Sequence, residues 1–175
     1  MRRVRYRVAA SLDGYIAGPS GEIDWIVQDP SVDFDAVYSG FDTVLLGRRT
    51  YELTRQPGAP PWPPGWHLYV FSRTLNPAEH SAVTVVRTDV GSTVAALRAQ
   101  PGRDIWLFGG GRLFSSLLAV GLVDRVEVAL MPVLLGHGIP LLGSEAPRTQ
   151  LALTRLESSN GGIVNLVYDV LPRAG

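Results

Sequence analysis

The sequence predicts an α/β domain: a mostly parallel, twisted central sheet flanked by helices in three layers, ending in a C-terminal antiparallel hairpin. Three observations carry this. Short β-rich runs alternate with segments of helical spacing along most of the 175 residues. Several runs, "TVLL", "IWLF" and "LYVF", are almost continuously apolar, as in strands covered on both faces. The last stretch, "LALTRLESSNGGIVNLVYDVL", is two β runs around Ser158–Gly162, which reads as a hairpin rather than another crossover.

The strands predicted from β-rich runs bounded by turn residues are Arg5–Ser11, Thr43–Leu46, His67–Phe71, Val83–Arg87, Ile105–Phe108, Arg125–Leu130, Gln150–Glu157 and Ile163–Leu171. Between them, Ser31 or Asp33 opens a helix to about Ser39, and Arg48–Arg55 forms a second. Ser92 is expected to cap "TVAALRAQ", which stops before Pro101. Arg112–Val120 follows three glycines and ends at Gly121, a C-cap residue. "QPGAPPWPPGW" (Gln56–Trp66) holds five prolines in eleven residues. It cannot be helix or inner strand and reads as a surface loop or the rim of a site. The length suits one domain.

Composition narrows the function classes. Hydrophobic residues make up 46% and charged residues 18%, which is a globular and not a disordered composition. Sixteen basic residues balance sixteen acidic ones, so neither nucleic acid nor a membrane surface is the expected partner. All the basic residues are arginine, which excludes Schiff-base, general-base and P-loop lysines. The absence of cysteine excludes disulfides, thiolate nucleophiles and Cys-ligated metals. The three histidines have no metal-ligand spacing, and no metal is expected. "MRRVRYRVAASLDGYIAG" lacks the apolar stretch of a signal peptide, and no run spans a membrane; a cytoplasmic protein is expected.

Four stretches carry the candidate chemistry. In "WLFGGGRLFSSLL" (Trp106–Leu118) the triple glycine joins a strand to a helix. A helix N-terminus offers free N–H groups to phosphate, and glycine lets an anion approach the main chain. A tight turn with no ligand explains the same residues, and the pattern is not GxGxxG. "TVLLGRRTYE" again runs strand, glycine, then Arg48, Arg49 and Thr50. "LYVFSRT" ends a strand in Ser72 and Arg73. Three strand ends bearing phosphate-type donors fit a dinucleotide lying across the carboxyl edge of a sheet, with Arg48 and Arg73 suited to a 2′-phosphate. The fourth stretch, "VAASLDGYIAGPSGEIDWI", runs a strand into Asp13–Gly14 and a glycine-flanked loop of the kind that forms lids.

"VAASLDGYIAG", "GEIDWI", "LLGRRTYE", "FSR" and "IWLFGGGRLFSSLLAVGLVDRVEVALMPVLLGHGIPLL" occur in the order seen in the dihydrofolate-reductase-like superfamily. They most resemble the branch containing the reductase domain of the bifunctional riboflavin-biosynthesis deaminase–reductase and its stand-alone bacterial relatives. The resemblance runs from about Val4 to Val170. It implies an NADPH-dependent reductase. Gly47, Arg48, Arg49 and Thr50 then correspond to adenosine-side and diphosphate contacts, and Ser72 and Arg73 to 2′-phosphate contacts. Gly110, Gly111, Arg112 and Leu113 correspond to the diphosphate turn, with a cis peptide expected at Gly109–Gly110 against the cofactor. Ala9 and Ile16 would flank the nicotinamide. Asp13, Trp25 and the first-helix residue Phe34 would border the substrate, with His137 in a glycine-rich substrate-side loop.

The resemblance implies reduction of a phosphoribosylamino-pyrimidine, 5-amino-6-(5-phosphoribosylamino)uracil, with hydride delivered to the sugar C1′. The proton would come from Asp13, Asp35 or ordered water. Dihydrofolate is the weaker alternative, because the carboxylate register of the first helix falls near Ser31. A non-catalytic nucleotide-binding module is a further alternative. The branch commonly forms homodimers, to which "IVNLVYDVL" would contribute an interface, although a core strand explains that tail equally well.

Overall fold

The computed structural model describes residues 1–30, 32–159 and 161–172. Ser31 and Asn160 lie outside the described residues, so the Ser31 cap and the tip of the predicted C-terminal turn are not addressed. The elements are β1 (Val4–Ser11), β2 (Tyr15–Ala17), α1 (Phe34–Ser39), β3 (Phe41–Gly47), α2 (Arg48–Leu53), β4 (His67–Phe71), β5 (Thr84–Val86), α3 (Val90–Ala99), β6 (Asp104–Leu107), α4 (Gly111–Ala119), β7 (Arg125–Met131), β8 (Ile139–Pro140), β9 (Leu151–Ser158) and β10 (Val164–Val170). Eight strands form one sheet in the order β5-β4-β3-β6-β1-β7-β10-β9. The first six of that order are mutually parallel, while β10 runs antiparallel to β7 and pairs antiparallel with β9. The predicted fold class therefore holds, hairpin included. The short strands β2 and β8 form a separate antiparallel pair that the sequence does not announce.

Strand alternation sorts the side chains onto two faces. On one face, Val4, Tyr6 and Ala10 of β1 pack with Leu45, Ile105, Leu107, Val126 and Val128 against α3 and α4. The amphipathic α4 contributes Leu113, Phe114, Leu117 and Leu118, and Phe114 stacks on Tyr6 at 3.8 Å. Burying each such side chain is worth about 1.5–3 kcal/mol. On the other face, Val44, Leu46 and Val70 lie under Tyr51 and Leu75, with Trp62, Trp66 and Phe108 packed against them. Cover on both faces explains why "TVLL" and "IWL" are wholly buried. Of "LYVF" only Val70 is buried, because β4 sits one strand from the β5 edge.

One local expectation changes and one is met. Ser92 does not cap α3: the helix begins at Val90 after Asp89, and the Ser92 hydroxyl donates back to the Asp89 carbonyl at 3.0 Å. At α1, Asp33 is the N-cap, its carboxylate accepting from the Ala36 N–H at 2.9 Å.

Candidate functional site

The second face continues across β1, β7, β10 and β9, where the same alternation carries polar residues. The register aligns Arg7 with Glu127, then Val167, then Arg155; one step along, Ala9 aligns with Ala129, Asn165 and Glu157. This surface is the floor of a cleft of 2720 Å³ that runs to the carboxyl ends of β3, β4 and β6. Ordinary small-molecule pockets are about 300–1,000 Å³, so this one has room for a dinucleotide and a second ligand together.

At the strand ends, the three sequence-predicted stretches meet. Gly47, Arg48, Arg49, Thr50, Ser72, Arg73, Gly109, Gly110, Gly111, Arg112 and Leu113 all line the cleft, as do Ala9 and Ile16. Arg48 is oriented by two partners: its Nε donates to Glu52 at 2.7 Å and its Nη1 to the Thr74 hydroxyl at 2.5 Å. The second bond carries Arg48 from β3 to the loop after β4, beside Arg73. Thr74 was not anticipated. Ser72 also has a structural job. It is almost fully buried, and its oxygen accepts from the N–H groups of Thr74 and Leu75, shaping the turn.

The triple glycine has an explanation within the fold. Gly109 and Gly110 adopt φ of +64° and +76°, and no cis peptide occurs here or elsewhere among the described residues. The sharp turn is made by the left-handed region open to glycine, not by a cis bond. A Cβ on Gly109 would stand 3.1 Å from Thr50 Cγ2, and one on Gly111 2.6 Å from the Pro140 carbonyl oxygen. These glycines let α2 and the β8 segment close on the turn. Gly110, the N-cap of α4, supplies no side-chain cap, so the first N–H groups of α4 are left for another acceptor. Gly47 differs from this group. Its φ is −76° and a Cβ there would meet nothing within 4 Å, so the fold itself does not require glycine.

Four residues expected at the chemistry stand elsewhere. Asp13 is absent from the cleft lining. Its carboxylate accepts from the Ser11 hydroxyl at 2.6 Å and from the N–H groups of Leu135 and Gly136 at 3.1 and 2.7 Å, pinning the loop after β7 to the β1 turn. The Ser11 bond, with the main-chain donors, lowers its pKa to about 2, so it carries no proton to donate at neutral pH. Asp35 is exposed on α1 outside the cleft. Trp25 also lies outside, its Nε1 donating to the Glu22 carbonyl, and His137 is exposed outside the lining. Phe34 does line the cleft.

The floor holds a group that the motifs did not single out. Glu127 is only 4% exposed and accepts from Arg5 Nε at 2.5 Å and Arg7 Nη1 at 2.8 Å. Arg5 lies 4.5 Å above the Phe41 ring and also reaches Asp104 at 3.3 Å. Burial acts to raise the Glu127 pKa, but the two guanidiniums outweigh it and hold the carboxyl below the ordinary glutamate value. Burial likewise disfavours the Arg5 cation, and Glu127 and Asp104 outweigh it. The signal was in the strands: "RYRVA" and "VEVAL" alternate, which puts lone charges on the face away from the apolar core. Beside this group stand Phe34, Tyr38, Trp62, Trp106 and Phe108, forming an aromatic wall.

Comparison with known proteins places this architecture. The chain is 34% identical over 178 residues to YyaP of Bacillus subtilis, an uncharacterized protein, covering 95% of this chain and 94% of that one. It is 26% identical over 160 residues to the riboflavin biosynthesis protein RibD of Corynebacterium ammoniagenes; that match takes in 83% of this chain and spans about half, 48%, of the relative. A solved structure from Shewanella sp. PV-4, provisionally named a riboflavin biosynthesis protein, superposes with a TM-score of 0.83 at 26% identity, covering 98% of this chain and all of that one. The model of the RibD C-terminal domain matches residues 2–165, and the chain belongs to that family.

Proposed function

We propose that the cleft binds NADPH and that the protein is an NADPH-dependent reductase of a small heterocyclic or sugar-linked substrate, of the 5-amino-6-(5-phosphoribosylamino)uracil type. One observation carries the reading: all thirteen residues that the family resemblance assigns to the cofactor, from five separate segments, line the same cleft. Arg73 and Arg48, the latter held toward Thr74, suit the 2′-phosphate that distinguishes NADPH from NADH. The uncapped N–H groups at the start of α4, with Arg112, suit the diphosphate. Ala9 and Ile16 offer an apolar seat for the nicotinamide. When bound, NADPH supplies the hydride. The protein's part is to align an electrophilic carbon on the floor near Ala9 and to exclude water. With Asp13 and Asp35 outside the cleft, ordered water is what remains of the three proton sources that the resemblance offers.

A homodimer belongs to the same proposal. The edge strand β9 exposes Leu151, Leu153 and Leu156 on the face shared with Leu166, Tyr168 and Val170. A second copy covering this face would also protect the sheet edge. Sedimentation of the wild type against a Leu153→Asp, Leu156→Asp variant tests it, with a dimer expected to become a monomer.

The activity is tested by following NADPH oxidation with the ribosylaminouracil and its 5′-phosphate, and with dihydrofolate, for which Asp33 at the α1 end of the cleft is the available carboxylate. Turnover of a uracil derivative supports the reading. NADPH binding without turnover of any of them favours the non-catalytic module instead.

A further inference from the structure

The floor of the cleft is laid out by the sheet register. One row across β1, β7, β10 and β9 reads Arg7, Glu127, Val167 and Arg155, and the next reads Ala9, Ala129, Asn165 and Glu157. Side chains in register share a face, and all eight residues line the cleft. The charged members of these rows are engaged. Glu127 takes both Arg5 and Arg7, and Arg155 pairs with Glu157 at 2.6 Å. Asn165 is in a different position. It is half-buried, with Ala129 opposite in β7 and with Ile163 and Val167 on the same face of its own strand. Its neighbour in β9, Glu157, is the carboxylate held by Arg155. Among the described residues nothing hydrogen-bonds the Asn165 carboxamide, so its NH₂ and its carbonyl are open to a ligand.

A few polar groups set among apolar ones are what orient a small ligand in a pocket. A carboxamide pairs with an uncharged edge that offers a donor beside an acceptor, as a lactam does: its carbonyl accepts the ring N–H and its NH₂ donates to the ring C=O. A carboxylate at this position would instead take a donor-rich, cationic edge. The spacing also suits a ring. Ala9, the expected seat of the nicotinamide, lies two strands from Asn165, about 10 Å away. Allowing for a hydrogen bond at Asn165, about 7 Å is left, the span of a six-membered ring and the atom joining it to a reacting carbon. Ala9 and Ala129 carry only methyl groups, so a flat ring can lie along the row.

Resting on the reductase reading, we propose that Asn165 is a specificity-determining residue of the cleft. Its carboxamide hydrogen-bonds the lactam edge of the substrate ring and so places the reacting carbon over Ala9. The choice of an uncharged lactam over a cationic amidine edge then resides in one side chain of β10.

The test uses two probes: the ribosylaminouracil 5′-phosphate, and its 2,4-diamino counterpart, in which both ring carbonyls are replaced by amino groups. Binding of each is measured to wild type, Asn165→Leu and Asn165→Asp, all saturated with NADP⁺. Asn165→Leu is expected to weaken the uracil compound about tenfold. Asn165→Asp should weaken it by a similar factor, because a carboxylate cannot donate to the ring carbonyls, and should shift the ratio of the two affinities at least about threefold toward the diamino compound. NADP⁺ affinity should stay within about twofold of wild type in both variants, which also reports that they are folded. Uracil binding unchanged in both variants, equal weakening of the two probes by Asn165→Asp, or a parallel loss of NADP⁺ binding overturns the proposal. So does a wild type that holds NADP⁺ and does not bind the uracil compound. Failure of wild type to bind NADP⁺ overturns the reductase reading instead, so the two are told apart.

Discussion

Replacing Glu127 by glutamine removes one buried negative charge and leaves two guanidiniums facing an amide. One amide oxygen can still accept from Arg5 or Arg7, but the amide NH₂ cannot accept from the other. Removing one partner of a buried ion pair costs about 3–5 kcal/mol. Arg5 is held at 19% side-chain exposure and cannot easily turn to water, whereas Arg7, at 34%, can. Because Arg7 can turn to water and one amide oxygen still accepts, the cost falls at or below the bottom of that range, about 2–3 kcal/mol, which for a domain of this size is a fall of about 4–12 °C in Tm. The pH dependence has a definite sign. The folded Glu127 pKa lies below the ordinary glutamate value of 4.5, so its contribution is complete above 4.5 and is lost as pH falls through the folded value. Urea unfolding of wild type and Glu127→Gln should therefore diverge at neutral pH and converge in acid. A double-mutant cycle with Arg7→Gln should give a coupling of at least about 1 kcal/mol. A loss under about 0.5 kcal/mol at neutral pH, or a gap independent of pH, would refute the reasoning that this network is tightly held.

The glycines supply a contrasting pair. Gly111→Ala puts a Cβ 2.6 Å from the Pro140 carbonyl oxygen and is expected to destabilise by about 1–3 kcal/mol in thermal unfolding. Gly47→Ala meets nothing within 4 Å and should cost no more than about 1 kcal/mol as an N-cap exchange, yet weaken NADPH binding about tenfold if the cofactor lies against it. Asp13→Asn should release the loop after β7, seen as faster amide exchange at Leu135 and Gly136, without changing the pH profile of reduction. In the wild type those bonds are complete above the ordinary aspartate pKa of 3.8 and are lost only as pH falls through about 2.

Residues tied to strand ends were legible in sequence, because position after a strand fixes position at the sheet edge. That is why Gly47–Thr50, Ser72–Arg73 and Gly109–Leu113 converge as expected. Direction within a loop is not fixed in that way. Asp13 and Trp25 follow the right motifs, but Asp13 is taken up by the N–H groups of the distant loop after β7 and Trp25 by the nearby Glu22 carbonyl, and Asp35 falls on the outer side of α1. The strands β2 and β8 span three and two residues, too short for any periodicity to show. Arg5, Arg7 and Glu127 were visible as lone charges in alternating strands. Their meeting depends on β1 pairing with β7 across 120 residues of chain, which local pattern cannot supply.

The central claim is that four arginines and three strand ends form an NADPH site. Its most direct test is titration with NADPH and separately NADH, following quenching of tryptophan fluorescence, since Trp62 and Trp106 line the cleft. NADPH is expected to bind at least about tenfold tighter than NADH, and Arg48→Ala and Arg73→Ala should remove that preference while leaving NADH binding nearly unchanged. Equal affinity for the two cofactors, or binding of neither, would contradict it.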